Sequence, residues 1–422
     1  VQVYEPLVDV YREWEKDHPF DEGVGWGNEP WSQEEMELNE ALVEEAAEKN
    51  EYAIVILART AGEDKDNKML EGAYCLTSIE EDMLQKVRKS FAKMIVLLNT
   101  GNIMDMSFMD QYRPDAVMYV WQGGMIGGLG TVDVLTGKVC PSGRLSDTIA
   151  AQMSDYPADP YFGGLEQNLY VEDIYVGYRY FESAAKSKVL YPFGFGLSYT
   201  TFSLEAGGFS YAENQVSFVM KVTNTGSVPG KEVVQVYAKA PLGKLGKPAR
   251  VLIDFKKTKE LMPGECAELA FAIPTSVFVS YNEVSTAGMP VGWVLEAGEY
   301  TIYAGGNVRD AYAVGSFTLD ELQIVEECRS ALAPTTAFKR MKMTAANEHA
   351  EAADVYEVAM EEVPLRVVSP EEKRNAELPE SCEMTGDRGI KLADVKAGKA
   401  TLDEFVAQLT EEELASIVRG EG

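Results

Sequence analysis

The feature that most constrains this chain is an uninterrupted apolar run, Ala53 to Ala58. It is followed by Arg59, a small-residue turn at Ala61 and Gly62, and then Glu63 in the sequence YAIVILARTAGEDKDN. A short run with no polar alternation reads as a buried strand of a parallel sheet. Ligands of open α/β sheets gather just outside the carboxyl ends of such strands. A carboxylate delivered there can be a general acid, a metal ligand or a solvated loop charge.

The surrounding residues extend the α/β pattern to about residue 200. Helical periodicity runs from Gln33 to Lys49 and from Ile79 to Phe91, and strand-like runs span Met94 to Leu98 and Ala116 to Trp121. Alternating strands and helices imply a parallel sheet with crossover helices. A glycine-rich turn, QGGMIGGLG, follows the third run and leads into a helix ending near Leu135. Gly123, Gly124, Gly127, Gly128 and Gly130 lack dinucleotide-binding spacing, and no acidic residue follows on a second strand. Close backbone approach is the better account of these glycines.

Residues 146–200, rich in Tyr, Gly, Asp and Pro, predict an ordered, irregular connection. From about 203 to 319 the pattern changes to period-two alternation (VSFVMKVTNTG, EVVQVYAKA, WVLEAGEYTIYAGG) with Gly/Pro/Asn turns, the signature of an immunoglobulin-like β-sandwich. Beyond it, Ala346 to Met360 reads as acidic and weakly helical, and Pro370 to Glu380 as a linker. Thr401 and Thr410 are expected to cap the last two helices, with Glu413 completing a capping box. The domain reading is therefore an α/β sandwich domain over 1–200, an all-β sandwich over 201–320, and a partly helical extension over 321–422.

Net charge is -30, from 38 basic and 68 acidic side chains, which disfavours nucleic acid and anionic membrane as partners. The five cysteines are scattered, with no CxxC pair, and argue against a disulfide framework or structural zinc. Only two histidines, His18 and His349, are present, both in acidic stretches, which removes Ser-His-Asp and His-rich metal chemistry. No cofactor or metal is expected. The opening sequence, VQVYEPLVDVYREWEKD, has neither the basic start nor the apolar core of a secretion signal and reads as the interior of a domain. A cytoplasmic chain is expected.

Several motifs then converge. ARTAGED (58–64), IVLLNTGN (95–102), VWQGG (120–124), DVLTGKVCPSGRL (133–145), EDIYVGYRYFE (172–182) and YPFGFGLSYTTF (191–202) resemble glycoside hydrolase family 3, the β-glucosidases and β-xylosidases. VTNTGSVPGKEVVQVY (222–237) and LMPGE (261–265) resemble that family's fibronectin type III-like domain. The resemblance implies a retaining exo-acting β-glycosidase of bacterial type, acting on a β-glucoside or oligosaccharide. Here the α/β domain comes first, and the last residues resemble the opening of the family's (β/α)8 barrel. That order implies a circularly permuted arrangement whose barrel, and a leading sandwich segment with a substrate loop, lie outside this sequence.

Retaining glycosidases use two carboxyl groups about 5 Å apart, one a nucleophile and one an acid that becomes a base. The resemblance assigns the acid/base to Glu63, with Asp64, Asp66 and Glu71 as less apt neighbours. The family's nucleophile is a barrel Asp followed by Trp. None of Trp14, Trp26, Trp31, Trp121 and Trp293 follows an Asp, and the barrel's Lys-His pair is absent too. The missing barrel, on the same polypeptide or another chain, is therefore the expected partner, docking on an exposed apolar patch. A homo-oligomer is also compatible with the sequence.

Supporting roles fall to neighbouring residues. Arg59 either orients Glu63 or its neighbouring loop, or forms a structural ion pair. Trp121 and Gln122 either line the site or pack at a strand end. Trp26 and Trp31 are candidates for stacking on sugar, while Tyr175, Tyr178 and Tyr180 are expected to pack. The alternative from a different class is a non-catalytic carbohydrate-binding or scaffold protein built on the same folds.

Overall fold

The computed structural model describes residues 3–25, 27–60, 66–286, 288–330, 332–346, 355–367, 369–378 and 381–420. These fall into two compact units: residues 1–329 with 336–364, and residues 330–335 with 365–422.

The first unit opens with helix α1 (Glu5–Trp14) and α2 (Glu40–Lys49), then strand β1 (Tyr52–Ala58), α3 (Ser78–Ser90), β2 (Lys93–Asn99), α4 (Phe108–Tyr112), β3 (Ala116–Tyr119) and α5 (Gly127–Leu135). The strands form a parallel sheet in the order β1-β2-β3. The helix expected from Gln33 begins only at Glu40, because the Asn39 side chain accepts the Ala41 N–H and stops the helix there. Similarly, β3 ends before Trp121, which adopts a left-handed backbone (φ 53°).

One face of this sheet is closed. Val55, Leu57, Met94, Val96 and Leu98 pack with Val43 of α2 and Met83, Leu84 and Val87 of α3. The other face is open along β1 but not at Leu97 of β2, which pairs with Ile56 and is 4% exposed. Tyr52, Ile54 and Ile56 alternate with those buried residues, and Ile54 and Ile56 stay 46% and 55% exposed. The apolar run thus reflects an edge strand whose second apolar side, Ile54 and Ile56, is exposed. Helix α5 is similarly bare: it buries no residue, and Leu129 and Val132 are exposed.

An irregular connection follows, holding the short pair β4 (Ile149–Ala150) and β5 (Val189–Tyr191) around α6 (Tyr178–Ala184). It packs as expected. The Tyr175 hydroxyl accepts the Met343 N–H at 3.0 Å, and the Tyr178 hydroxyl accepts the Leu252 N–H at 2.9 Å.

The sandwich then comprises β6 (Phe202–Ala212), β7 (Gln215–Asn224), β8 (Val233–Lys239), β9 (Val251–Lys257), β10 (Cys266–Pro274), β11 (Ser280–Asn282), β12 (Gly292–Leu295), β13 (Gly298–Gly305), β14 (Tyr312–Leu319) and β15 (Gln323–Glu327). Its two main sheets run β10-β7-β6 and β14-β13-β8-β9. Their facing residues, among them Val216, Phe218, Met220, Val222, Val236, Phe271, Ile302 and Phe317, make one core. Two ion pairs, Arg144–Glu232 and Arg309–Glu182, bind the sandwich to the preceding segments.

The unit ends in a hairpin of β16 (Lys339–Ala345) and β17 (Tyr356–Glu362). This corrects the weakly helical reading of Ala346 to Met360. Residues 356–360 are strand, because Tyr356, Val358 and Met360 pair antiparallel with Ala345, Met343 and Met341. Residues 347–354 lie outside the described residues.

The second unit contains α7 (Pro370–Ala376), α8 (Leu392–Lys396), α9 (Leu402–Ala407) and α10 (Glu411–Arg419). The expected linker at Pro370 is a helix instead, capped by Ser369 and started by proline at its first position. Thr401 and Thr410 both form capping boxes, with Glu404 and Glu413.

Candidate active site

The carboxyl ends of β1, β2 and β3 lie side by side, since Ala58 pairs with Asn99 and Leu98 with Tyr119. They deliver Arg59-Thr60, the Asn99–Asn102 turn and Trp121-Gln122 to one edge of the sheet. Glu63 and Asp64, like Trp26, lie outside the described residues, but the residues on either side, a first leg up to Thr60 and a second from Asp66, are described.

Arg59 anchors the first leg and is buried. Its Nη1 and Nη2 bind Glu80 Oε1 and Oε2 at 2.6 and 2.8 Å, with both side chains almost fully enclosed. The remaining contacts are to carbonyls: Nη1 to Ala58 at 2.7 Å, Nε to Ala73 at 2.9 Å and Nη2 to Cys75 at 3.1 Å. One guanidinium therefore ties the end of β1 to the 73–75 turn on the far side of the loop. Such a fork of fixed donors is what arginine supplies and lysine does not. Glu80 is itself fixed, because its Oε2 accepts the Thr77 N–H at 2.9 Å while Thr77 Oγ1 accepts the Glu80 N–H at 3.1 Å. This is the capping box that starts α3.

The Thr60 N–H donates to the Trp31 carbonyl at 2.8 Å, which sets Trp31 beside the end of β1. On the second leg, Asn67 Nδ2 donates to the Ile103 carbonyl at 2.7 Å. Trp121 is half-buried beside Tyr119, ring centroids 4.9 Å apart, and Gln122 is exposed. Asp66 and Glu71 are exposed. Of the sequence-named residues, Arg59, Trp31, Trp121 and Gln122 thus share the sheet edge. Arg59 is committed to the ion pair with Glu80. Sequence reasoning missed Glu80, although Thr77-x-x-Glu80 ahead of an amphipathic stretch carries a capping-box signal.

Burial is the chief influence on the phenols behind this edge. It pushes the Tyr156 hydroxyl up to about 12, against the Ala150 N–H that its oxygen accepts at 2.9 Å. The hydroxyls of Tyr74 and Tyr119 are raised further for the same reason, so all three are neutral at ordinary pH.

Residues 28–199 match the glycosyl hydrolase family 3 C-terminal domain, and residues 232–308 match a fibronectin type III-like domain. That pair of domains sets the chain among the glycoside hydrolases. It belongs to glycoside hydrolase family 3. A β-glucosidase of Ruminococcus albus is 49% identical over 418 residues, covering 99% of this chain and 43% of that protein. β-Glucosidase A of Butyrivibrio fibrisolvens is 35% identical, covering all of this chain and 56% of that one. A crystal structure of a Paenibacillus barengoltzii β-glucosidase superposes with a TM-score of 0.92 at 47% identity, over 99% of this chain and 46% of its own. The chain therefore spans about half the length of the relatives it matches. Among the described residues no helix is long and apolar enough to cross a membrane.

Proposed function

We propose that this chain supplies the general acid/base of a retaining β-glucosidase, with Glu63 as the reacting carboxyl group. The observation that carries the reading is the loop's anchorage. A buried Arg59–Glu80 pair fixes both legs of the 59–75 segment at the carboxyl edge of the sheet, in a chain similar to β-glucosidases over nearly its whole length.

In the first step Glu63 gives its proton to the glycosidic oxygen while a carboxylate of the barrel attacks the anomeric carbon. The C–O bond to the leaving group breaks and a glycosyl-enzyme ester forms. In the second step ionised Glu63 takes a proton from water, whose oxygen attacks the same carbon and releases the carboxylate. Arg59 acts as a positioning residue. Trp31, Trp121 and Gln122 border the leaving-group side; Asp64 follows Glu63 in sequence, and Trp26 precedes Trp31 in GWGNEPW.

The nucleophile comes from the barrel. The bare face of β1 and the exposed apolar side of α5 support a docking role for this domain, because water-exposed isoleucine and leucine on ordered elements favour burial against a partner surface. The purified 422-residue chain should leave an aryl β-glucoside unhydrolysed. Addition of the barrel segment should restore turnover that Glu63→Gln removes. Turnover by the chain alone that is lost in Glu63→Gln would mean a second carboxylate within this sequence is the nucleophile, and the division of labour would be wrong.

A further inference from the structure

A cleft of about 770 Å³ opens between the sandwich and the β16–β17 hairpin. It shares no lining residue with the carboxyl edge of the parallel sheet. Its size is in the range of small-molecule and oligosaccharide sites. Two features of its lining specify a ligand.

The first is aromatic. Tyr281 and Trp293 are direct partners on β11 and β12, with ring centroids 5.2 Å apart, and are 39% and 40% exposed. The aromatic side chains Phe218, Phe271, Tyr300 and Phe317 are buried in the sandwich core, so these two stand out as side chains left open to a cavity.

The second feature is a rigid mixed-charge network. Arg340 reaches from the hairpin to Glu283 of the sandwich at 2.7 Å and to Glu361 at 2.9 Å, with Asp173 at 3.8 Å. Lys342 binds the other oxygen of Glu361 at 2.8 Å. Across the whole lining four carboxylates, Asp173, Glu283, Glu361 and Glu362, stand against four cations, Arg179, Lys247, Arg340 and Lys342. A lining with no net charge gives an anionic ligand no advantage over a neutral one. A neutral ligand whose hydroxyls both donate and accept finds fixed carboxylate oxygens and guanidinium N–H groups, beside an indole that can take an apolar ring face. A pyranose has both properties, since its C–H groups form an apolar face and its hydroxyls an equatorial rim.

We propose that this cleft is a second carbohydrate site, binding a neutral oligosaccharide with one pyranose stacked on Trp293 and its hydroxyls bonded to Asp173, Glu283, Arg340 and Glu361. The site stands on its own lining and does not depend on the role given to Glu63. It holds sugar without reacting with it, because its carboxylates are engaged by Arg340 and Lys342.

Calorimetric titration of the intact 422-residue chain with cellotetraose and with laminaritetraose tests this. Saturable binding of at least one is expected. Trp293→Ala should weaken it about tenfold, the equivalent of about 1.4 kcal/mol. Glu283→Gln, a milder change at the rim, should weaken it about threefold, while Glu63→Gln should leave it unchanged. Each variant is checked for an unaltered thermal transition. Failure of both tetrasaccharides to bind would overturn the proposal. So would binding that survives both cleft substitutions, or binding lost in Glu63→Gln alone, which would put the sugar at the sheet edge instead.

Discussion

The two sheet-bearing domains solve the same problem to different extents. In the sandwich, each main sheet turns an apolar face onto the other, and the outward residues of β7 include Gln215, Ser217, Lys221 and Thr223. In the parallel sheet, β1 buries Val55 and Leu57 on one side and shows water Tyr52, Ile54 and Ile56 on the other. Parallel sheets are ordinarily covered on both faces. The contrast teaches that the sandwich closes its core on itself, whereas the parallel sheet leaves apolar side chains of its edge strand β1 exposed.

The comparison can be broken most forcefully at the buried ion pair. Arg59→Ala leaves Glu80 charged and enclosed and releases three carbonyls, so it should cost the α/β domain about 4 kcal/mol. Denaturant unfolding followed by near-UV circular dichroism would show this as an early transition, with the sandwich transition unmoved. Phe271→Ala is the mirror experiment. It removes a ring stacked on Phe218, centroids 5.0 Å apart, and should cost the sandwich about 3 kcal/mol without touching the first transition.

A sharper test compares neighbours on one strand. Leu57 is 0% exposed, so Leu57→Ala should destabilise by about 3 kcal/mol, whereas Ile56→Ala should change the isolated chain by no more than about 0.5 kcal/mol. Ile56→Asp should nonetheless abolish association with the barrel segment, measured by sedimentation. Equal costs at the two positions would mean that the open face is not open.

The smallest effect is electrostatic. Asp115 is held well below the usual carboxylate range, first by the Lys93 ammonium, then by the Met94 N–H and the Arg88 guanidinium. A folded-state value below the unfolded value of about 3.9 stabilises the fold above that pH, and the contribution fades as pH falls toward the folded value. The stability gap between the native protein and Asp115→Asn should therefore be constant near neutrality and shrink below about pH 4. A gap that widened in acid would contradict the assignment.

What was legible in the sequence followed from local rules. The apolar run at Ala53 to Ala58 and the period-two alternation of VSFVMKV became strands, and the threonines at 401 and 410 became caps. Tertiary pairing overrode the alanine-rich helical reading near residue 356. Met341, Met343 and Ala345 wait opposite a Tyr356-Val358-Met360 alternation that an isolated segment cannot reveal as strand. The Ser369-Pro370 start of α7 was a helix signal outweighed by its polar composition. At the site, the ARTAGED motif carries the proposal that Glu63 is the acid. The commitment of Arg59 to Glu80, 21 residues away, depends on how α3 packs and is not readable from spacing. The left-handed backbone of Trp121 is equally hidden, since nothing in VWQGG announces it.

The role of Glu63 is tested most directly by leaving-group dependence. This chain would replace the matching segment of the Ruminococcus albus relative, and hydrolysis of phenyl and 2,4-dinitrophenyl β-glucosides would be compared with and without Glu63→Gln. A general acid contributes about 10² to 10⁴ in rate, but only where the departing oxygen needs a proton. The account predicts a loss of that order for glycosylation by the phenyl glucoside, a far smaller loss for the dinitrophenyl glucoside, and recovery of deglycosylation with azide. Equal losses on both substrates with no azide effect would contradict it.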